Sequence, residues 1–360
     1  MKASKLAGIV YIGCYGSVVE PCIYVAKQDS ENGSLTVIQQ VTGIENASFL
    51  SVNEARDRLY AVSETAQASG VRGGEVAAYA IDSATGKLSE LNRQSTHGEH
   101  PCYVSSDGRS VFAANYTGGN AAMLPLAEDG SLKPAIAVVG SKGELGPNAS
   151  RQDAPHAHAI LPLGGPSPYV YITDLGTDSI LIYRQNPDAG EPLQHVASYQ
   201  LHAGAGPRHL ALHEQLPIVY VMNELDSTVS VLRMNEEDAG TLAHVQTISA
   251  LPEGFNAYND AAHIALAPSG KFLYTSNRGH NSLAVFAVNG VDGSLTLVQH
   301  ISCGGEGPRN FTLAPDGSRL LVANQKTNHL LSYQVDADSG LLTLEGEQLQ
   351  ISSPVFVWVG

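Results

Sequence analysis

The chain has 360 residues, 43% hydrophobic and only 15% charged, with 36 glycines and 18 prolines. Its 35 acidic against 20 basic residues leave a net charge of −15, which argues against nucleic acid or an anionic membrane as partner, though a small anion can still be held by a local group of cations. No run approaches the roughly 18 apolar residues of a membrane helix, and the four cysteines (14, 22, 102 and 303) show no CxxC or CxxH spacing, so neither a disulfide framework nor a structural zinc site is expected and a reducing, cytoplasmic setting is the simpler reading.

Lys2 and Lys5 precede a short apolar run ending at Cys14, a faint echo of a lipoprotein signal. The same stretch contains VYIGCY (10–15), the first of seven related hexamers, and it is therefore read as mature structure. The others, in chain order, are LYAVSE (59–64), VFAANY (111–116), VYITDL (170–175), VYVMNE (219–224), LYTSNR (273–278) and LLVANQ (320–325). β-Branched and aromatic residues dominate them, which predicts strands. Downstream of each lies a polar turn, a glycine and usually a leucine, with glycines at 33, 86, 130, 190, 240, 293 and 340. Asp or Asn followed by Gly is hairpin chemistry, because glycine takes positive φ without steric cost. The fourth copy, QNPDAGEPLQHV, is looser. Upstream of the hexamers stand short strands such as HPCYV, APHAHAILP, GPRHLAL, AAHIALAP and GPRNFTLAP.

Each unit thus holds four strands with a period of about 51 residues, the size of a propeller blade. The expected fold is all-β, a seven-bladed β-propeller forming one domain over residues 1–360. The chain opens on a second-strand hexamer and ends on SPVFVWV (353–359), which resembles an inner strand. The C-terminal strand is expected to complete the first blade, closing the ring and removing exposed edges. Residues 64–75 and 140–155 read as long surface loops.

Adjacent strands of a blade run antiparallel, so the start of each inner strand should lie beside the end of the next hexamer, at one mouth of the channel. The hexamer ends are Tyr15, Glu64, Tyr116, Leu175, Glu224, Arg278 and Gln325, and the inner-strand starts are Ser48, Cys102, His156, Arg208, Ala262, Arg309 and Val355. Polar members gather on blades four to seven, where three arginines, a histidine and a glutamate suit an anionic small molecule. His156 and His158 share a strand face, and His209 and His263 are candidates to join a metal site. The arginines and the lack of a carboxylate ligand set argue against a cation, so no metal or other cofactor is expected. The recurring Asn115, Asn223, Asn277 and Asn324 suggest a backbone-bonding role. No G-x-S-x-G elbow and no phosphate-binding glycine loop is present.

RQDAPHAH, AGPRHL, VMNELDSTVSV, SNRGHNSLAVF and GPRNF with VANQKTNH together resemble, end to end, the lactonase family of seven-bladed propellers. This is the bacterial 6-phosphogluconolactonase type, related to the fungal carboxy-cis,cis-muconate cyclases. The resemblance implies metal-free hydrolysis of a sugar lactone, with 6-phosphogluconolactone of the pentose phosphate pathway as the leading substrate. Carried over by motif, it puts the active groups on His156, Glu224, Arg208 and Arg278. Arg309 and Gln325, with His158 and Asn310 beside them, are the expected substrate-binding groups. Either Glu224 or His156 is the base, and arginines hold an oxyanion, phosphate or carboxylate. A muconate-type cyclase would use the same arginines for carboxylates. A non-catalytic binding propeller would have little need for a Glu–Arg cluster.

Overall fold

The computed structural model describes residues 6–29, 33–68, 70–165, 167–235 and 240–360. Every hexamer is a strand: Ile9–Cys14, Arg58–Ser63, Ser110–Asn115, Tyr169–Asp174, Ile218–Asn223, Phe272–Arg278 and Arg319–Asn324. Each is a central strand of its own four-stranded sheet. In the second to seventh sheets the strands follow chain order and pair antiparallel. No described residue is helical, and the seven sheets are the blades of a seven-bladed β-propeller. The segment expected as the first long loop carries a small ladder of its own, Gln67–Ala68 against Val71–Arg72.

The first sheet departs from chain order as the ends of the sequence predict. It runs Leu35–Val41, Ile23–Gln28, Ile9–Cys14 and then Pro354–Val359. The last strand therefore supplies the first blade's inner strand. Gly360 N donates to Ile9 O at 2.9 Å, and Tyr11 stacks on Trp358 with ring centroids 5.5 Å apart. By internal contacts the described residues form two compact units, one made mainly of 37–206 with 13–25, the other of 207–360 with 8–12 and 26–36.

Burial explains the uneven hydrophobic pattern. The second strands of blades one, three, four and five are buried at every position, which is why their hexamers read as continuous apolar runs. The fourth strands are half-buried to exposed beyond their first residue, Leu193–Gln200 most of all, and carry polar residues. Within the second unit the core lies between neighbouring sheets: Tyr220, Met222 and Val231 pack with Ile264, Leu273 and Phe286, and Tyr274 and Val285 with Phe311 and Val322. Blades two and three of the first unit pack likewise, through Tyr60, Val62, Val104 and Val111.

Two side-chain devices tie successive blades. The hexamer tyrosine reaches the carbonyl of the hairpin glycine in the following blade, with Tyr60 to Gly130 at 3.2 Å, Tyr220 to Gly293 at 2.9 Å and Tyr274 to Gly340 at 2.9 Å. The glycine sits at φ near 72–80° in the hairpins of Gly33, Gly86, Gly130, Gly293 and Gly340. Gly190, in the loose fourth copy, does not adopt that conformation. The second device is an amide clamp. Gln39, Asn92, Gln246 and Gln299 each stand four residues after the leucine that opens a fourth strand or its hairpin, and each bonds both N–H and C=O of the matching leucine one blade on. A side-chain amide here does what a neighbouring strand would do.

Candidate active site

The inner strands are not regular. In blades three to seven the residue paired with the fifth hexamer position is Pro101, Ala157, Pro207, Ala261 or Pro308, and the register slips directly after it. Such a bulge leaves residues outside the ladder and re-aims their side chains. The displaced residues are Cys102, His158, Arg208 with His209, Ala262 with His263, and Arg309. This refines the expected rim: the position matching Arg208 and Arg309 in blade four is His158, and His156 lies two residues earlier. Three of the four recurring Asn side chains hold the backbone, Asn115 Nδ2 donating to Thr96 O at 3.1 Å, whereas Asn223 Nδ2 donates to the hydroxyls of Thr228 and Ser230. Asn277 Nδ2 donates to Ala250 O, and Asn324 Nδ2 to Cys303 O, both at 2.8 Å.

In the second unit the structure brings three of the expected residues together. Arg208 Nε lies 2.8 Å from Glu224 Oε2, and Arg278 Nη2 lies 2.9 Å from the same oxygen. The side chains of Arg208 and Glu224 are each only 3% exposed and that of Arg278 15%. Two cations at that distance favour the ionised carboxylate. Main-chain carbonyls fix the guanidinium groups, Arg208 Nη1 donating to Ala262 O at 2.7 Å and Arg278 Nη2 to Ala261 O at 3.1 Å. Arg278 Nε is buried and has no hydrogen-bond partner among the described residues.

His209 and His263 complete the cluster. Their Nδ1 atoms are 2.9 Å apart, so one carries the proton and donates to the other. Arg208 Nη1 sits 3.1–3.2 Å from the ring nitrogens of His209. Burial, and then the charge of Arg208, push His263 down to about 3, so it is neutral at ordinary pH. In the sequence these two stand only as possible metal ligands. The usable signal was their common offset, each lying two residues after the Pro or Ala that precedes its bulge. Among the described residues no three His, Cys, Asp or Glu side chains converge as a metal site.

The other expected residues lie on blades seven and four. Arg309 and Gln325 are half-buried on blade seven, and Asn310 is buried there, its Oδ1 accepting from Val357 N at 3.1 Å. His156 belongs to the first unit. Its Nδ1 is 3.0 Å from Tyr116 O and its Nε2 3.1 Å from Asp153 Oδ1, and the ring stacks on Tyr116 at 4.5 Å. A carbonyl only accepts, so Nδ1 carries a proton, while Nε2 is turned to a carboxylate. That contact holds the Asp153 carboxyl below its usual range. His158 is buried beside Cys102, with Nδ1 3.5 Å from the sulfur. All four cysteines are buried, and none forms a disulfide.

Burying three charged side chains is costly, and apolar residues would stabilise a propeller core at least as well. An arrangement of this kind, built from one bulged inner strand and the ends of two second strands, is a candidate reaction centre. Fold and cluster together define a seven-bladed propeller with a buried charged cluster as its candidate site. Its family follows from comparison. A family model described as lactonase, 7-bladed beta-propeller, matches residues 9–359, and the chain belongs to that family; it is an enzyme of the lactonase class. The chain is 34% identical over 308 residues to a Bacillus subtilis protein named 6-phosphogluconolactonase, covering 84% of each. Among solved structures, the Pseudomonas aeruginosa periplasmic gluconolactonase superposes with a TM-score of 0.88 at 31% identity, covering 97% of this chain and 98% of that one. A Bacteroides fragilis chain gives 0.88 and 31%, covering 99% of both.

Proposed function

We propose that this enzyme opens the ring of a sugar 1,5-lactone at the Arg208–Glu224–Arg278 cluster, at the mouth of the propeller channel, with 6-phospho-D-glucono-1,5-lactone as its substrate. The observation that carries this reading is Arg278. Its Nη2 is fixed by a carboxylate and a carbonyl, and its side chain is the most exposed of the three charged groups. A cation held in place and open to an incoming molecule is what a developing oxyanion requires. Water attacks C1 of the lactone and the carbonyl electrons move onto oxygen, facing Arg278. Glu224 takes the water proton. The tetrahedral intermediate collapses, the C1–O5 bond breaks, and O5 leaves with the proton from Glu224, giving the open-chain aldonic acid, which releases its carboxyl proton to solvent as the aldonate. Arg208 holds Glu224 in register for both transfers. Arg309 and Gln325 of blade seven are the proposed phosphate-side contacts, arginine suiting that role through paired donors.

The similar proteins support a lactone and differ over the phosphate, one being named for the phosphorylated and the other for the plain sugar lactone. The test is hydrolysis of both lactones by the purified protein and by Glu224→Gln and Arg278→Met. Each substitution should lower kcat about 100-fold or more. Near wild-type rates in both variants would overturn the assignment.

A further inference from the structure

Of 15 tyrosines, seven phenylalanines and one tryptophan, only Tyr258 is exposed, at 74%. It stands on the loop entering blade six, two residues before Asp260, whose backbone partner across the ladder is Arg278. This loop is anchored. The neighbouring Asn259 is buried, its Nδ2 donating to Ser227 Oγ at 2.8 Å and to Asn277 Oδ1 at 3.3 Å, while its Oδ1 accepts from His280 N at 3.0 Å. The Tyr258 carbonyl lies so close to Gly279 that a Cβ there would come within 2.3 Å of it, and Gly279 has φ +139°. Its phenol donates to the Asp260 carboxylate, which fixes the ring's direction.

An aromatic ring held in one orientation in solvent, at the end of the blade that carries Arg278, is a binding surface for something with an apolar face. The ring face is electron-rich and attracts the weakly positive C–H bonds of a saturated ring. We propose that Tyr258 is the platform on which the six-membered ring of the sugar lactone stacks, and so a determinant of specificity for cyclic sugars. This rests on the lactone reading above.

The experiment compares wild type, Tyr258→Ala and Tyr258→Phe in two assays. In the first, hydrolysis of the sugar lactone, Tyr258→Ala should raise KM about 3- to 10-fold with little change in kcat, and Tyr258→Phe should fall between it and wild type. In the second, saturation-transfer NMR with 1,5-anhydroglucitol, a cyclic probe that cannot be hydrolysed, irradiation of aromatic protons should reach the probe in wild type and fail in Tyr258→Ala. An unchanged KM together with undiminished transfer in Tyr258→Ala overturns the platform while leaving the lactonase reading intact. A wild type that hydrolyses neither sugar lactone but still transfers through Tyr258 overturns the substrate reading and upholds the platform. Absence of transfer in wild type overturns the platform.

Discussion

At the scale of the residue, chemistry follows from which atoms are already spent. His156 is engaged through both ring nitrogens, Nδ1 with the Tyr116 carbonyl and Nε2 with the Asp153 carboxylate. Glu224, held by two guanidinium groups, is the better candidate to take a proton. His156→Asn should therefore lower kcat less than about 10-fold where Glu224→Gln lowers it at least about 100-fold, as read in the same lactone assay. His263 makes a prediction about pH. In the folded chain it is held down to about 3 from its ordinary 6.5. Between those values the unfolded chain binds the extra proton, so this group's contribution to stability is lost as pH falls from about 6.5 toward 3. Replacing it by Asn should flatten the acid slope of stability, measured as urea midpoints at pH 7 and pH 4.5. An unchanged slope would mean that His263 takes up its proton in the folded state.

At the scale of the element, the seven hexamers were legible because a strand buried on both faces must be a run of apolar, β-prone residues. The bulges were not, because the slip after Pro207 or Ala261 depends on pairing across the ladder, which a single strand's sequence does not display. For that reason Arg208, Glu224 and Arg278 are legible from their places in the repeat, while in blade four the matching position reads as His156 instead of His158, and His209 and His263 read as possible metal ligands instead of a hydrogen-bonded pair. The amide clamps were hidden too, since Gln39, Gln246 and Gln299 look like ordinary outer-strand polar residues. Each bonds both main-chain groups of a leucine one blade on. Gln299→Ala should cost about 1–3 kcal/mol in urea unfolding by leaving the N–H and C=O of Leu342 unpaired, with little effect on kcat. A loss no greater than that of an exposed alanine substitution elsewhere on the fourth strands would show that water replaces the clamp without penalty.

At the scale of the whole molecule, the decisive contact joins residues from opposite ends of the sequence. Without Pro354–Val359 the strand Ile9–Cys14, buried along its length, is left as an apolar edge. Such an edge templates association. A chain ending at residue 352 should be insoluble or soluble only as aggregates by size-exclusion chromatography; a monomeric, active truncation would refute the role given to the last strand. This part of the fold is legible in the sequence because SPVFVWV has the pattern of an inner strand, and the structure pairs it with the first hexamer.

The same arrangement bears on how the protein is made. A ribosome adding roughly 5–20 residues per second releases Ile9–Cys14 tens of seconds before Pro354–Val359 exists. During that interval the nascent first blade has no inner strand to pair with, and its final assembly waits on the synthesis of Pro354–Val359. Pauses late in the message, or chaperones that shield the early strands, should govern yield more strongly here than in a propeller whose first blade is contiguous in sequence.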